Sequence, residues 1–445
     1  MQKKILVISK GAACEEIKSI LAQIPIPAES VCTADSVKKK IRQGDVACAL
    51  FDDDAFSGHN DRCRAESLAL LRESKKDFIF VTSSPSFEAI DEARNDGAKE
   101  FIARPYNHRE FILRVTACYY GNRRIACIGG GTGLFNLLSC LKQLPHVLIC
   151  SIVAMTDDGG STGKLRESFG ILPPGDVRRN LVALSNAPIL MNEVLQHRFK
   201  AGGNVFEGHS FGNLFLTVLA EIKGSMKEGV KSLGDILNIQ GIVIPVTDNL
   251  VSLGAMFEDG SIVIGESKID MAEDRNPEAS IKKLWHVPEA EASIDAYASI
   301  LNSDTVIIGP GDLFTSVITN LIVKHVAEAV VRTSAKKVYV CNLMTKLGET
   351  AHYGAFEHIK EIIDYLGGDY LDYVIISNTR YSSGALKRYE AKGQFPVGAG
   401  DLRKIKGITK ARIVLADVAH DMELVRHDNE KLKKCIGKLL DVRTG

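Results

Sequence analysis

An apolar pattern over residues 125–128 runs straight into Gly129, Gly130, Gly131, Thr132 and Gly133, and from there into a helical pattern opening at Leu134. Glycines let the backbone approach a ligand with no Cβ in the way. The N–H groups that open a helix are unpaired and sit at the positive end of its dipole. The chemistry this predicts is the binding of a phosphate, cradled by Gly130, Gly131 and Thr132; the plainer use of the same residues is tight packing of strand on helix. A dinucleotide fingerprint wants glycine where Leu134 stands, which weakens a nicotinamide site with Asp157 on the ribose. Gly163 and Lys164 do not make a Walker loop, because Asp158 holds the first glycine position and Leu165 follows the lysine.

A second apolar run, 147–155, ends in Thr156, Asp157, Asp158, Gly159, Gly160 and Ser161. One carboxylate of this pair suits a ribose or sugar hydroxyl and the other magnesium; the plain alternative is a turn and a helix cap. Ligands of open α/β sheets lie beyond the carboxyl ends of the strands, so both loops are expected to face one crevice. Residues 172–180 set Asp176, Arg178, Arg179 and Asn180 at a helix start, where a guanidinium fork matches phosphate or carboxylate. Asp176 is placed to pair with Arg178 or Arg179. Before a helix over 214–222 stand His209, Ser210 and Asn213: the last two suit ligand contacts, and His209 suits either catalysis or a structural hydrogen bond. Gly309, Pro310 and Gly311 follow a strand over 305–308 and supply a third backbone wall, with Asp312 and Thr315 as polar contacts, and a further helix is expected after them.

The elements that position these loops are those of an α/β protein. Within the first 120 residues, strands at 4–9, near 31, and at 46–51, 78–83 and 100–102 alternate with helices at 13–23, 36–43, 65–73, 86–96 and 108–120. That rhythm predicts a flavodoxin-like domain over 1–121, followed by a modified Rossmann-like, doubly wound parallel sheet domain over 125–445. The chain has 445 residues, and its 55 Lys and Arg balance its 55 Asp and Glu, with no long basic stripe to call for nucleic acid. No apolar run approaches the roughly 18 residues of a membrane span, and residues 1–4 lead into a strand rather than a signal peptide, so a cytoplasmic protein is expected. Ten scattered cysteines, among them Cys48, Cys127 and Cys150, form no C-x-x-C pair and suit buried thiols in a reducing compartment. A last amphipathic helix over 428–440 is expected to leave Lys431, Lys433, Lys434 and Lys438 solvated.

The first unit resembles a response-regulator receiver domain in Asp52, in Thr82 and Ser83, and in residues 97–106. Ser9 and Lys10 replace the family's acidic pair, and Arg104 replaces the lysine before Pro105. Phosphoryl transfer to Asp52 needs the metal and that lysine, so the resemblance implies a pseudo-receiver for docking or dimerisation, with Asp53 and Asp54 left as a source of some metal affinity.

From about Ile125 to Asp417 the chain resembles the family containing 2-phospho-L-lactate transferase (CofD) and the bacterial gluconeogenesis factors. The residues that carry the resemblance are Gly129 to Gly133, Asp157 to Ser161, Leu172 to Asn180, Gly208 to Asn213, Gly309 to Gly311 and Cys341 to Thr350, all in order. Residues 245–249 and a hairpin over 252–266 turning at Asp259 and Gly260 bring it closer to the gluconeogenesis-factor branch. That branch implies a cytoplasmic binder of nucleotide sugars such as UDP-N-acetylglucosamine, tied to carbon metabolism, cell-wall synthesis and cell shape. The transferase branch implies the alternative: transfer of a phospholactyl-type group from a nucleotide diphosphate donor to an acceptor hydroxyl, with magnesium (Mg2+) held by Asp158 and Asp176, and His209 a further catalytic candidate. A small-molecule nucleotide ligand, a homo-oligomer and a protein partner for the receiver-like unit complete the expectation.

Overall fold

The structure, a computed structural model, describes residues 3–56, 61–200, 206–271 and 276–441, so the two outer domain limits, 1 and 445, lie outside the described residues. It divides into two compact units, one of Met1–Arg124 with His146–Leu148 and Tyr297–Asn302, the other of the remaining segments. Among the described residues no helix is long and apolar enough to cross a membrane.

In the first unit the strands Lys4–Ile8, Val46–Asp52 and Phe78–Thr82 are buried almost end to end, as befits a parallel sheet covered on both faces. The sheet runs in the order Ala28–Val31, Lys4–Ile8, Val46–Asp52, Phe78–Thr82, Glu100–Ala103, every pair parallel, which is the flavodoxin-like 2-1-3-4-5 order. The helix His108–Tyr120 spans the expected residues: Asn107 caps it by accepting from the Glu110 N–H at 2.9 Å, and Gly121 ends it in the left-handed region. Others begin earlier than the apolar pattern suggests. The second helix opens at Ala34 because Thr33 caps it, and the third runs over Asp61–Ser74.

Asp52 is fully buried at the end of its strand, and both its oxygens are occupied. The Ser9 hydroxyl donates to one at 2.5 Å, and Arg104 donates to the other at 2.7 Å while also reaching Asp54 at 2.6 Å. Burial acts to raise the Asp54 pKa, but the Ser83 N–H and hydroxyl, with Arg104, hold it below its ordinary value. Asp53 pairs with Arg64 at 2.5 Å. The aspartates read from sequence as a source of metal affinity are therefore each bonded to a guanidinium of the protein.

The second unit is built on a seven-stranded sheet in the order Arg412–Ala416, Tyr373–Ser377, Lys336–Val340, Thr305–Ile308, Arg123–Gly129, Val147–Val153, Ile242–Pro245. The chain enters near the middle, works outward to Ile242–Pro245, then returns to lay Thr305–Ile308 on the other side of Arg123–Gly129. That reversal is the topological switch point. An antiparallel trio, Ile262–Ile264, Ser252–Phe257 and Ile281–Val287, contains the expected hairpin, with Gly260 at φ 85°. Trp285 lies so close over Gly254 that a Cβ there would stand 2.5 Å from the indole.

Two expectations change. A π-helix, Leu313–Ile318, follows Thr305–Ile308 where an ordinary helix is expected. On the last helix, Asn429–Leu439, Lys433 is not solvated: it is 15% exposed and bonds to Gln143 at 2.7 Å and to Glu430, while Lys431 bonds to Asp417 and to the Ala419 carbonyl. The cysteines are free, and those of the sheet strands, Cys48, Cys127 and Cys150, are buried; Cys32 is exposed.

Candidate functional site

At the switch point the loops after Arg123–Gly129 and Thr305–Ile308 cross at backbone contact distance. A Cβ on Gly133 would stand 2.5 Å from the Pro310 carbonyl oxygen, and Gly309 takes φ 74°, so glycine is required at both positions. Beside this crossing opens a crevice of about 350 Å3. Gly130 to Gly133 form one wall and Pro310, Gly311 and Ser316 another. The third is the segment Asn342 to Lys346, which follows the next strand, Lys336–Val340, with Tyr389, Arg426 and His427 at the outer side. The crevice thus lies beyond the carboxyl ends of three adjacent strands.

Asp176 comes to the glycine loop. One of its oxygens accepts from the Gly131 N–H at 2.7 Å and the other from Arg179 at 3.1 Å. The anion resting on the helix opening is a carboxylate of the protein itself. Asp157 sits behind it: burial, then repulsion from Asp176, pushes its pKa up. Burial, then Asp157, does the same more strongly to Glu266, which accepts from the Thr156 hydroxyl at 2.5 Å. These three neighbouring carboxylates have only Arg179 as a bonded cation among the described residues.

The other expected site residues lie elsewhere, and the loop over 156–161 does not line the crevice. Asp158 accepts from the Ser267 N–H at 2.8 Å and its hydroxyl at 2.5 Å, at the start of the helix Glu266–Met271. Gly159 donates to Asp157 at 3.0 Å, closing a local turn, and Gly160 follows at φ 48° to open the helix Gly160–Phe169. Ser161 is the hub of a small network, meeting His209 at 3.1 Å and accepting from Asn213 Nδ2 at 3.3 Å. Ser210 caps the helix Phe211–Lys223 by accepting from the Asn213 N–H, so this helix starts three residues before the expected 214. Asn180 is wholly buried against the Ser151 hydroxyl. Each of these has a protein partner, but the buried Oδ1 atoms of Asn180 and Asn213 have none among the described residues.

Asp312 illustrates a partner the sequence hides. The Lys346 ammonium lies 2.7 Å from Asp312, 2.8 Å from Asp270 and 2.7 Å from Glu349. Burial would lower the lysine pKa, but Glu349, Asp312 and Asp270 raise it well above its ordinary value. The negative charge of Asp312 is thus met inside the protein. Asn342, Thr345 and Lys346 were findable, since they follow a strand just as Gly309 does. Tyr389, in the helix Ser383–Glu390, and Arg426 and His427, in a two-residue strand paired with Ala419–His420, carry no such signal. His427 is buried, and that burial pushes its pKa down to about 4.

Comparison with known proteins finds relatives for the second unit. Residues 125–418 match the family model described as 2-phospho-L-lactate transferase CofD. The gluconeogenesis factor of Bacillus subtilis is 38% identical over 318 residues, covering 71% of this chain and 98% of the relative. That of Halalkalibacterium halodurans is 37% identical over 315 residues, covering 71% and 95%. A solved structure of a UPF0052-family protein from Bacillus halodurans superposes with a TM-score of 0.67 at 36% identity, over 71% of this chain and 99% of that one.

Proposed function

The chain belongs to the CofD family, among relatives named gluconeogenesis factors, and we infer that it is a cytoplasmic nucleotide-sugar-binding regulator of that type, tied to carbon metabolism, cell-wall synthesis and cell shape. The observation that carries this reading is the crevice at the switch point, whose walls are backbone and polar side chains from three loops, with Lys346 and Arg426 as cations and Asp312 as an anion among them. Such walls suit a ligand that is part sugar and part phosphate. Gly130, Gly131, Thr132, Gly309, Pro310 and Gly311 form the backbone walls of this reading, and Asn342 and Tyr389 join them as side-chain contacts. Asp158, which a transfer reaction would recruit, is bonded to Ser267 instead.

A second reading, metal-dependent transfer from a nucleotide diphosphate, draws on one observation: the mutual repulsion of Asp157, Asp176 and Glu266. Hard carboxylate oxygens suit magnesium, which would relieve that repulsion and neutralise a leaving phosphate. In this reading Asp157 and Asp176 hold the ion, and Asp158 is left out. The receiver-like unit, with Asp52 held by Ser9 and Arg104, serves docking or homo-oligomer formation, and the domain division falls between 121 and 125.

Calorimetric titration with UDP-N-acetylglucosamine, UDP-glucose and GDP, with and without magnesium, separates the two. Sugar-nucleotide binding without turnover supports the regulator. Magnesium-dependent binding of GDP, lost in Asp176→Asn, overturns it in favour of transfer.

A further inference from the structure

On the far side of Thr132 from the crevice is a smaller pocket of about 250 Å3 in which four arginines converge: Arg178, Arg179, Arg198 and Arg426. Arg179 bonds to Asp176 at 3.1 Å. Arg178 and Arg198 reach only backbone carbonyls, those of Leu195 at 3.3 Å and Gly208 at 3.1 Å, and the Arg426 side chain has no bonded partner among the described residues. Four guanidinium groups therefore have one bonded carboxylate, which is shared with the glycine loop, and Asp157 adds a second negative charge that acts on Arg178 without a bond.

Arg178 is the telling member. It is 5% exposed, and its buried Nε has no hydrogen-bond partner. Leaving a charge-bearing donor in that condition is costly. The fold has nonetheless made room for it, since a Cβ at Gly212 would stand 2.5 Å from the Arg178 Cδ. Burial, then Arg179 and Arg198, depress its pKa to about 10, as expected where like charges are brought together.

We propose that Arg178, Arg179, Arg198 and Arg426 form a binding site for a phosphate or diphosphate group. Planar forks suit tetrahedral phosphate oxygens by paired hydrogen bonds, the pocket is the size of a small anion rather than a polymer, and a dianion would balance the excess charge. The group belongs either to the ligand of the neighbouring crevice, which shares Thr132 and Arg426 with this pocket, or to a separate phosphorylated molecule. The site does not depend on which nucleotide the crevice takes.

The test is titration of the full chain with inorganic pyrophosphate, repeated with Arg179→Gln and Arg198→Gln, whose side chains lie at the rim. Fluorescence of Trp285, the single tryptophan, checks folding. Saturable, salt-sensitive binding that weakens about tenfold in each variant is expected for loss of one charge-assisted contact. Absence of pyrophosphate binding, or variants that bind as the parent does, overturns the proposal. UDP-glucose supplies the second arm: displacement of pyrophosphate assigns the site to the ligand's own diphosphate, and simultaneous binding assigns it to a second phosphorylated molecule. Failure of UDP-glucose to bind defeats the nucleotide-sugar reading and leaves the pyrophosphate result to decide the pocket.

Discussion

Replacing Lys346 by methionine removes the ammonium that holds Asp270, Asp312 and Glu349 together and leaves three carboxylates whose oxygens lie within 4.8 Å of one another. Glu349 is fully buried and keeps only the Thr315 hydroxyl at 3.1 Å and weak backbone donors, so it bears most of the loss. Breaking a buried ion pair costs roughly 3–5 kcal/mol. Asp312 and Asp270 are 44% and 35% exposed and can relax into water, which puts the expected loss near the low end, about 3 kcal/mol. Trp285 is the single tryptophan and lies in the second unit, so its fluorescence in urea follows that unit alone. With a slope of about 3 kcal/mol/M for a unit of this size, the midpoint should fall by about 1 M at pH 7. The gap should shrink toward pH 4.5, because the crowded carboxylates of the variant take up protons in the folded state more readily than in the unfolded one. In the parent, Lys346 has a raised pKa, so its contribution is complete below the ordinary lysine value and fades only as pH rises through the folded value. Millimolar calcium should stabilise the variant and not the parent. A midpoint shift below about 0.3 M, or a gap that does not change with pH, would refute the view that Lys346 is the counter-ion of this cluster.

His286, His358 and His427 are held neutral by burial with pKa values of about 4, so the stability they allow is present above the unfolded value of 6.5 and is lost as pH falls from there toward 4. Each costs about 3 kcal/mol once pH 4 is reached, and His358→Gln should flatten the acid limb of a urea-midpoint profile; an unchanged limb counts against it. Gly133→Ala drives a Cβ to 2.5 Å from the Pro310 carbonyl oxygen, and since backbone stands on both sides the expected loss is about 2–3 kcal/mol with sugar-nucleotide binding abolished, read by thermal melting and calorimetry. Arg104→Ala leaves the buried Asp52 with the Ser9 hydroxyl as its remaining bonded partner, and about 3 kcal/mol should disappear from amide-exchange protection along Val46–Asp52; full protection would sink the idea.

The flavodoxin-like order and the glycine crossing were legible because both follow from local rules, alternation of apolar strands with helices and glycine at strand ends. The two acidic positions of the second loop were not. Asp157 and Asp158 are adjacent, yet one turns in toward Asp176 and Glu266 while the other caps a helix more than a hundred residues away, and no local pattern distinguishes them. Asp312 read as a polar ligand contact because its partner Lys346 is brought to it only by the pairing of Thr305–Ile308 with Lys336–Val340. Ser161, His209 and Asn213 have the composition of a ligand loop, but side chains with donors and acceptors satisfy one another as readily as they satisfy a ligand.

The crevice has walls drawn from residues 130–133, 310–312 and 342–346, with further contacts at 389 and 426, so it exists only when nearly the whole second unit is assembled. Whatever fills it is therefore bound by the assembled unit and not by the unfolded chain. A ligand at a hundred times its dissociation constant adds about 2.7 kcal/mol to the unfolding free energy, enough to cut the proteolytically vulnerable fraction by about a hundredfold. The lifetime of the polypeptide would then rise and fall with the supply of such a ligand.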